Sequence, residues 1–189
     1  GGSFTAIDRK YMLELLTCVQ EFIGDNKFKG IRISTRPDCI NFEILQLLKE
    51  YNVTSIELGA QSMSDVVLAE NDRGHTSQDV RNAVKLIRQF DFELGLQMMV
   101  GLYKSTIELD IFTANEIAKL QPETVRIYPV VILKGTRLAS LFKTGEYKPY
   151  SLETAVELCS ELIEMFMKNN IKIIKLGLHA SELVESELL

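Results

Sequence analysis

The sequence predicts an α/β protein: a partial (β/α) barrel of the TIM type, with parallel strands inside and helices outside. Three observations carry this reading. Short apolar runs alternate with amphipathic segments along the whole chain, as repeated βαβ units require. Polar residues follow every run, not only the two at a switch point, which favours a barrel with one active face over an open doubly wound sheet. No linker, low-complexity segment or repeat beyond the βα unit interrupts residues 1–189, so one domain is expected.

Taken in order, Gly1-Gly2-Ser3 has the composition of a tight strand-end turn. Asp8 opens a helix to about Gly24, with Met12, Leu15, Leu16, Val19, Phe22 and Ile23 on one stripe. Gly30 to Ser34 is a short buried strand, stopped by Pro37, which also pushes Arg36 towards extended geometry. Asn41 caps a helix to about Tyr51. Thr54 to Gly59 is the second strand, followed by Gln61 and a short helix from Met63 to Asn71. Thr76 and Asp79 have capping-box spacing and start a helix to Phe90. Glu93 to Val100 is the third strand, and Ser105 with Glu108 suggests another capping box for a helix to Leu120. Val125 to Tyr128 is the fourth strand, an irregular stretch reaches Gly135, and a short helix runs to Gly145. Ser151 caps a long helix through Phe166, Ile171 to Leu178 is the fifth strand, and residues 180–189 read as a helical tail.

Composition narrows the function. The chain has 189 residues, 46% hydrophobic and 25% charged, with mean hydropathy +0.05, enough for one full core. The net charge of −5 gives no broad basic field, so any RNA contact has to be local. No run of about 18 apolar residues exists, so no membrane-spanning helix is expected. Cys18, Cys39 and Cys159 are odd in number and widely spaced, which gives neither a disulfide framework nor a metal motif. Cys18 and Cys159 fall in helical apolar patterns and read as packing residues. A reduced, cytoplasmic setting follows from this cysteine usage.

The stretch from Thr54 to Thr76 organises the rest. A buried strand presents Gln61 at its end, and Arg73 returns twelve residues later on a loop, which builds one wall of a cleft. The other strand ends add Gly1, Gly2, Ser3, Ser34, Thr35, Arg36, Gln97, Tyr128, Lys134 and His179. This set is rich in amides, hydroxyls and cations and lacks the carboxylate pair of glycosidases, a Ser–His–Asp order or a zinc cluster. It suits binding a polar, partly anionic cofactor, with Gly1-Gly2 allowing close backbone approach and Arg73 forking a carboxylate. Bland readings stand beside these. Gln61 reads equally as a strand-end cap, and Arg73 as a partner of Asp72 or Asp79. His75 reads as a backbone support, Lys134 as a solvated loop lysine before a Schiff-base former, and Met98-Met99 as core. Three functional classes remain open on the residues: an enzyme, a module that binds a nucleotide without cleaving it, and a phosphate-binding barrel using Gly101, Lys104 and Ser105.

The segments IRISTRPD, IELGAQSM, NDRGHT, GLQMMVGL, VRIYPVVILKGT and GLHAS, in this order and spacing, resemble the radical S-adenosylmethionine (SAM) superfamily. The likeness is strongest to the branch of the elongator catalytic subunit, with oxygen-independent coproporphyrinogen oxidases as cousins. It implies a partial barrel carrying a 4Fe–4S cluster that reductively cleaves SAM to a 5′-deoxyadenosyl radical. By resemblance, Gly1, Gly2 and Ser3 meet the SAM amino group, Gln61 and Ser34 belong to the same pocket, Arg73 meets the carboxylate, and Gln97 takes the ribose position. Cousins often carry Glu at position 34 and Asp at position 97. Tyr128, Lys134 and His179 fall on the substrate side. The family's CxxxCxxC loop, expected before the Gly-Gly motif, has no counterpart here. The chain therefore reads as a piece lacking the first strand and cluster loop, and as inactive by itself. The elongator likeness suggests tRNA wobble-uridine modification by the longer protein, with coproporphyrinogen III oxidation as the alternative. A barrel lacking its first strand leaves an open edge, so oligomers through that edge are expected.

Overall fold

The computed structural model describes residues 2–178. Five strands, β1 (Ile31–Thr35), β2 (Val53–Gln61), β3 (Glu93–Val100), β4 (Thr124–Pro129) and β5 (Lys172–Leu176), lie side by side in chain order. Every neighbouring pair is parallel. Chain order without reversal is the progression of a barrel wall, and it leaves no switch point of the doubly wound kind. Seven α-helices connect the described strands or flank them: α1 (Arg9–Cys18), α2 (Phe42–Glu50), α3 (Asp65–Glu70), α4 (Ser77–Ile87), α5 (Ile107–Lys119), α6 (Arg137–Thr144) and α7 (Leu152–Lys168).

Helices α1, α2, α4, α5 and α7 share one side of the sheet because only that side is apolar. Ile33, Ile56, Leu58, Leu94, Leu96, Met98, Val125 and Ile127 point to it and pack with Met12, Leu48, Ile87, Ile117, Leu162 and Phe166 of the helices. Each such side chain contributes about 1.5–3 kcal/mol on burial. The alternate positions, Arg32, Ser34, Glu57, Gly59, Gly95, Gln97, Arg126 and Tyr128, face the concave side. That inner face is polar, so the strands of this sheet alternate instead of being apolar on both faces as wholly buried parallel strands are.

Several boundaries differ from those the sequence predicts, each for a local reason. The first helix ends at Cys18 and continues only as a 3₁₀ turn, Val19–Phe22, leaving Phe22 exposed. Cys18 is exposed as well, while Cys159 is buried as expected. The second strand runs on past Gly59 to Gln61 through a bulge. Thr76 and Asp79 form the capping box that their spacing predicts. Ser105 does not cap α5: its hydroxyl donates to the buried Asp110 at 2.6 Å, and Thr106 caps instead. The fifth strand is shorter than predicted, and the expected tail at 180–189 lies outside the described residues.

Candidate functional site

Because all strands run the same way, their carboxyl ends meet on one rim. There a cavity of about 370 Å3 is lined by Gly2, Ser3, Ser34, Thr35, Arg36, Glu57, Gly59, Gln61, Arg73, Gln97, Met99, Arg126 and Tyr128. A neighbouring cavity of about 490 Å3 shares Gln97, Met99, Arg126 and Tyr128 and extends to Lys175 and Leu178. Two larger surface hollows, at the β1 edge and around Phe22 and Phe28, share only Gly2, Ser3 and Ser34 with the strand-end polar set.

Gln61 is placed by backbone strain. It sits at the β2 bulge with φ +65, a conformation that non-glycine residues adopt rarely and at a cost. The turn behind it is pinned by α5: the Met63 amide donates to Thr113 Oγ1 at 3.0 Å, and the Ser62 hydroxyl lies 3.2 Å from the same atom. Gly59 makes room for the side chain, since a Cβ there would lie 2.6 Å from Gln61 Nε2. Gln97 Nε2 donates to Gln61 Oε1 at 3.3 Å, so two neighbouring strands present a linked amide pair.

Arg73 is placed by a clamped loop. His75 Nε2 lies 3.1 Å from the Ala60 carbonyl, Asp65 Oδ1 accepts from the Ser77 amide at 2.7 Å, and Asn71 Nδ2 donates to the Tyr103 carbonyl at 2.8 Å. His75 is thus the backbone support that the sequence suggests. Asp72 pairs with Arg137 and Asp79 with Thr76, so neither of the predicted alternatives holds Arg73. Its Nε is buried and has no hydrogen-bond partner among the described residues. Burial, followed by the charge of Arg36, presses its guanidinium below the ordinary arginine value. A half-buried cation with an empty donor edge, on the wall of a polar cavity, is built for an anion.

The amino-terminal turn reaches the rim through Thr5. Its amide and hydroxyl both meet Thr35 Oγ1, at 3.2 and 2.5 Å, and its hydroxyl lies 2.9 Å from the Cys39 carbonyl. This holds Gly2, at φ +121, and Ser3 over the end of β1. Gly1 and His179 lie outside the described residues. Lys134 is exposed on the loop after β4 and does not line the cavity, whereas Tyr128 does. Met98 is core and Met99 lines the cavity, which divides a pair that the sequence assigned to core together.

Sequence reasoning missed the floor. Glu57, 2% exposed, lies 2.6 Å from Arg126 Nε and 3.9 Å from Arg32 Nη1, and Ser34 Oγ lies 3.4 Å from it. Arg126 Nη1 in turn donates to the Tyr128 hydroxyl at 3.2 Å, which, with Glu57, raises the Arg126 proton affinity. The signal was a lone charge at the middle of three apolar strand runs: Arg32 between Ile31 and Ile33, Glu57 between Ile56 and Leu58, Arg126 between Val125 and Ile127. Ser34 therefore takes part through Glu57, the only carboxylate in the lining among the described residues. That carboxylate is ion-paired, and no histidine among the described residues lines the cavity. The described walls can bind and orient a ligand but, among the described residues, offer no unpaired acid or base for proton transfer.

The loop bearing Gly101, Lys104 and Ser105 is no phosphate cradle. Asp110, 2% exposed, sits beneath it and accepts from the Gly101 amide at 2.9 Å, from Ser105 and from Tyr150 at 3.1 Å. The donors an anion would use are already turned onto a carboxylate. Nor do the cysteines form a metal centre: they lie on α1, after β1 and on α7, and no three ligand-type side chains converge among the described residues.

Comparison with known proteins agrees with this geometry. Residues 1–114 match the Radical SAM superfamily and residues 122–187 the Radical SAM C-terminal domain. The chain is 38% identical over 141 residues to the tRNA uridine(34) acetyltransferase of Methanocaldococcus jannaschii, covering 72% of this chain and 26% of that protein. It is 33% identical over 140 residues to human Elongator complex protein 3, covering 72% of this chain and 25% of that protein. It thus spans about a quarter of the length of these curated relatives. Among solved structures, the Methanocaldococcus infernus Elp3 with an N-terminal deletion superposes with TM-score 0.81 at 26% identity, over 98% of this chain and 51% of that one. The Escherichia coli coproporphyrinogen III oxidase superposes with TM-score 0.70 at 19% identity, over 89% and 39%, and so shares the fold. Sequence match and barrel wall together make the chain a member of the radical SAM superfamily, with proteins named tRNA uridine(34) acetyltransferase and Elongator complex protein 3 among its relatives.

Proposed function

We propose that this chain is the SAM-binding wall of a radical SAM enzyme that modifies tRNA. The observation that carries the reading is Arg73: a clamped, half-buried guanidinium with an unused donor edge, in one cavity with the Gln61–Gln97 amide pair and the Gly2-Ser3 turn. These residues fit SAM. Arg73 forks the ligand carboxylate, Gly2 and Ser3 approach the amino group, Gln61 fixes its orientation, and Gln97 faces the ribose. SAM, when bound, supplies the adenosyl group that becomes the 5′-deoxyadenosyl radical on reductive cleavage. The walls contribute positioning and a partly dry setting, in keeping with the absence of an unpaired acid or base in the lining.

The three cysteines do not fit a 4Fe–4S cluster, so in this reading the cluster ligands come from sequence beyond these 189 residues. Transfer to tRNA modification rests on the relatives named tRNA uridine(34) acetyltransferase and Elongator complex protein 3. The net charge of −5 gives little general attraction to RNA, so the contact is local, beside Arg126, Tyr128 and Lys175 at the far end of the cleft. No described helix is long and apolar enough to cross a membrane, and the reading places the enzyme in the cytoplasm.

The test is anaerobic reconstitution of the full-length protein with iron and sulfide, followed by SAM and a reductant. Formation of 5′-deoxyadenosine, lost in Arg73→Ala and accompanied by modification of tRNA when tRNA is added, is the expected result. A cluster-loaded protein that binds SAM and forms no 5′-deoxyadenosine would make the barrel a binding module.

A further inference from the structure

Arg36 stands in the same cavity wall as Arg73, and the assignment of SAM contacts leaves it without a task. Pro37 holds Arg36 extended, at φ −88 and ψ 147, so that its side chain leaves the end of β1 towards the Arg73 loop. Its Nε and Nη2 bond to Asp38 at 2.9 and 2.7 Å, a two-point clamp on one edge of the fork. The third nitrogen, Nη1, makes no hydrogen bond among the described residues.

Gly74 explains where the head rests. It has φ +70, and a Cβ there would lie 2.8 Å from Arg36 Nη2 and 3.8 Å from Nη1. The guanidinium of Arg36 therefore lies against the backbone of the residue that follows Arg73. Two cations converge, both lining the cavity, and among the described residues Asp38 is the only carboxylate bonded to either. Like charges brought together in a cleft repel, and a bound anion relieves both at once.

We propose that Arg36 is a second cationic contact for the ligand: Arg73 and Arg36 together grip its carboxylate, with Asp38 aiming Arg36 and Gly74 giving it room. The ligand class is an α-amino acid carboxylate attached to a larger body. The proposal rests on the SAM reading above and adds to it a residue that reads from its sequence neighbours as only a strand-end arginine.

Calorimetric titration of the full-length, cluster-reconstituted protein with SAM, methionine and methylthioadenosine tests it, since methylthioadenosine keeps the nucleoside and lacks the carboxylate. Arg36→Ala is expected to weaken SAM and methionine about ten-fold and leave methylthioadenosine unchanged, and Arg36→Lys, which lacks the fork, to restore little. Gly74→Ala is expected to weaken SAM in the native background and to have no further effect in the Arg36→Ala background, as for two changes acting through one contact. Equal losses for SAM and methylthioadenosine, or no loss for SAM, would overturn the proposal while leaving Arg73-dependent SAM binding intact. A reconstituted native protein that binds none of the three, or binds SAM regardless of Arg73→Ala, removes the SAM reading itself and this proposal with it.

Discussion

At the residue scale, the site spends stability on position. Gln61 occupies the left-handed region, where a side chain costs about 1–2 kcal/mol relative to glycine. Gln61→Gly is expected to be about 1 kcal/mol more stable than Gln61→Ala in thermal or urea unfolding, while both lose SAM affinity. If the Ala variant proves as stable as the Gly variant, the strain is not there. Arg73 carries a related cost: a buried Nε without a partner. Arg73→Ala is expected to weaken SAM by about 10–100-fold, the worth of a charge-assisted fork, with unfolding free energy unchanged or slightly raised. A loss of both affinity and stability would make Arg73 a structural arginine.

Among the elements, the loop from β3 to α5 is the best-fastened part of the rim. Asp110 ties Gly101, Ser105 and Tyr150 together, and Tyr147 donates to the Gly101 carbonyl at 2.7 Å. Burial raises the Asp110 carboxyl above the ordinary value and pushes the Tyr147 phenol to about 12. The sign for Asp110 follows from a folded value above the unfolded one. Its contribution is fully present below the ordinary Asp value of about 3.9 and is lost as pH rises through the raised value. Asp38, Glu116 and Glu123 have the opposite sign, since their arginine or lysine partners lower them, and their contribution fades as pH falls through those lowered values. Asp110→Asn should keep the shape and remove the opposing component. Stability measured from about pH 7 down to pH 4 should then fall more steeply in the variant than in the native chain. Parallel curves would mean that Asp110 is not titrating. Removing the staple altogether with Asp110→Ala is expected to cost about 2–4 kcal/mol, because three donors lose their acceptor.

For the whole molecule, β1 is the edge of the sheet among the described residues, and an apolar hollow of about 470 Å3 runs along it, lined in part by Ile7, Tyr11, Leu15, Ile31 and Ile33. An unpaired parallel edge beside apolar surface favours association. The inner face does not add to this, because Arg32, Glu57 and Arg126 make it polar and ion-paired. We propose that the 189-residue chain self-associates through the β1 edge at high concentration, and that Ile31→Lys lowers the mass seen by light scattering towards the monomer. A monomeric mass for the native chain at high concentration would remove this.

The periodicity of the sequence by itself determined the strands, the helices, their parallel alternation and the rim on which Ser34, Gln61, Gln97 and Tyr128 meet, because strand direction places every strand end on one side. Spacing also determined the Thr76–Asp79 cap, a purely local device. Only the tertiary structure decided which polar residues serve the cavity. Lys134 and Tyr128 follow the same strand, yet only Tyr128 lines it, and Arg73 is available because Asp72 and Asp79 found other partners. Ser105 turned from capping to Asp110, and Glu57 found Arg126 from a strand 69 residues away in sequence. Such pairings depend on long-range register and on which donors are taken first, and periods of two or 3.6 residues carry no record of either.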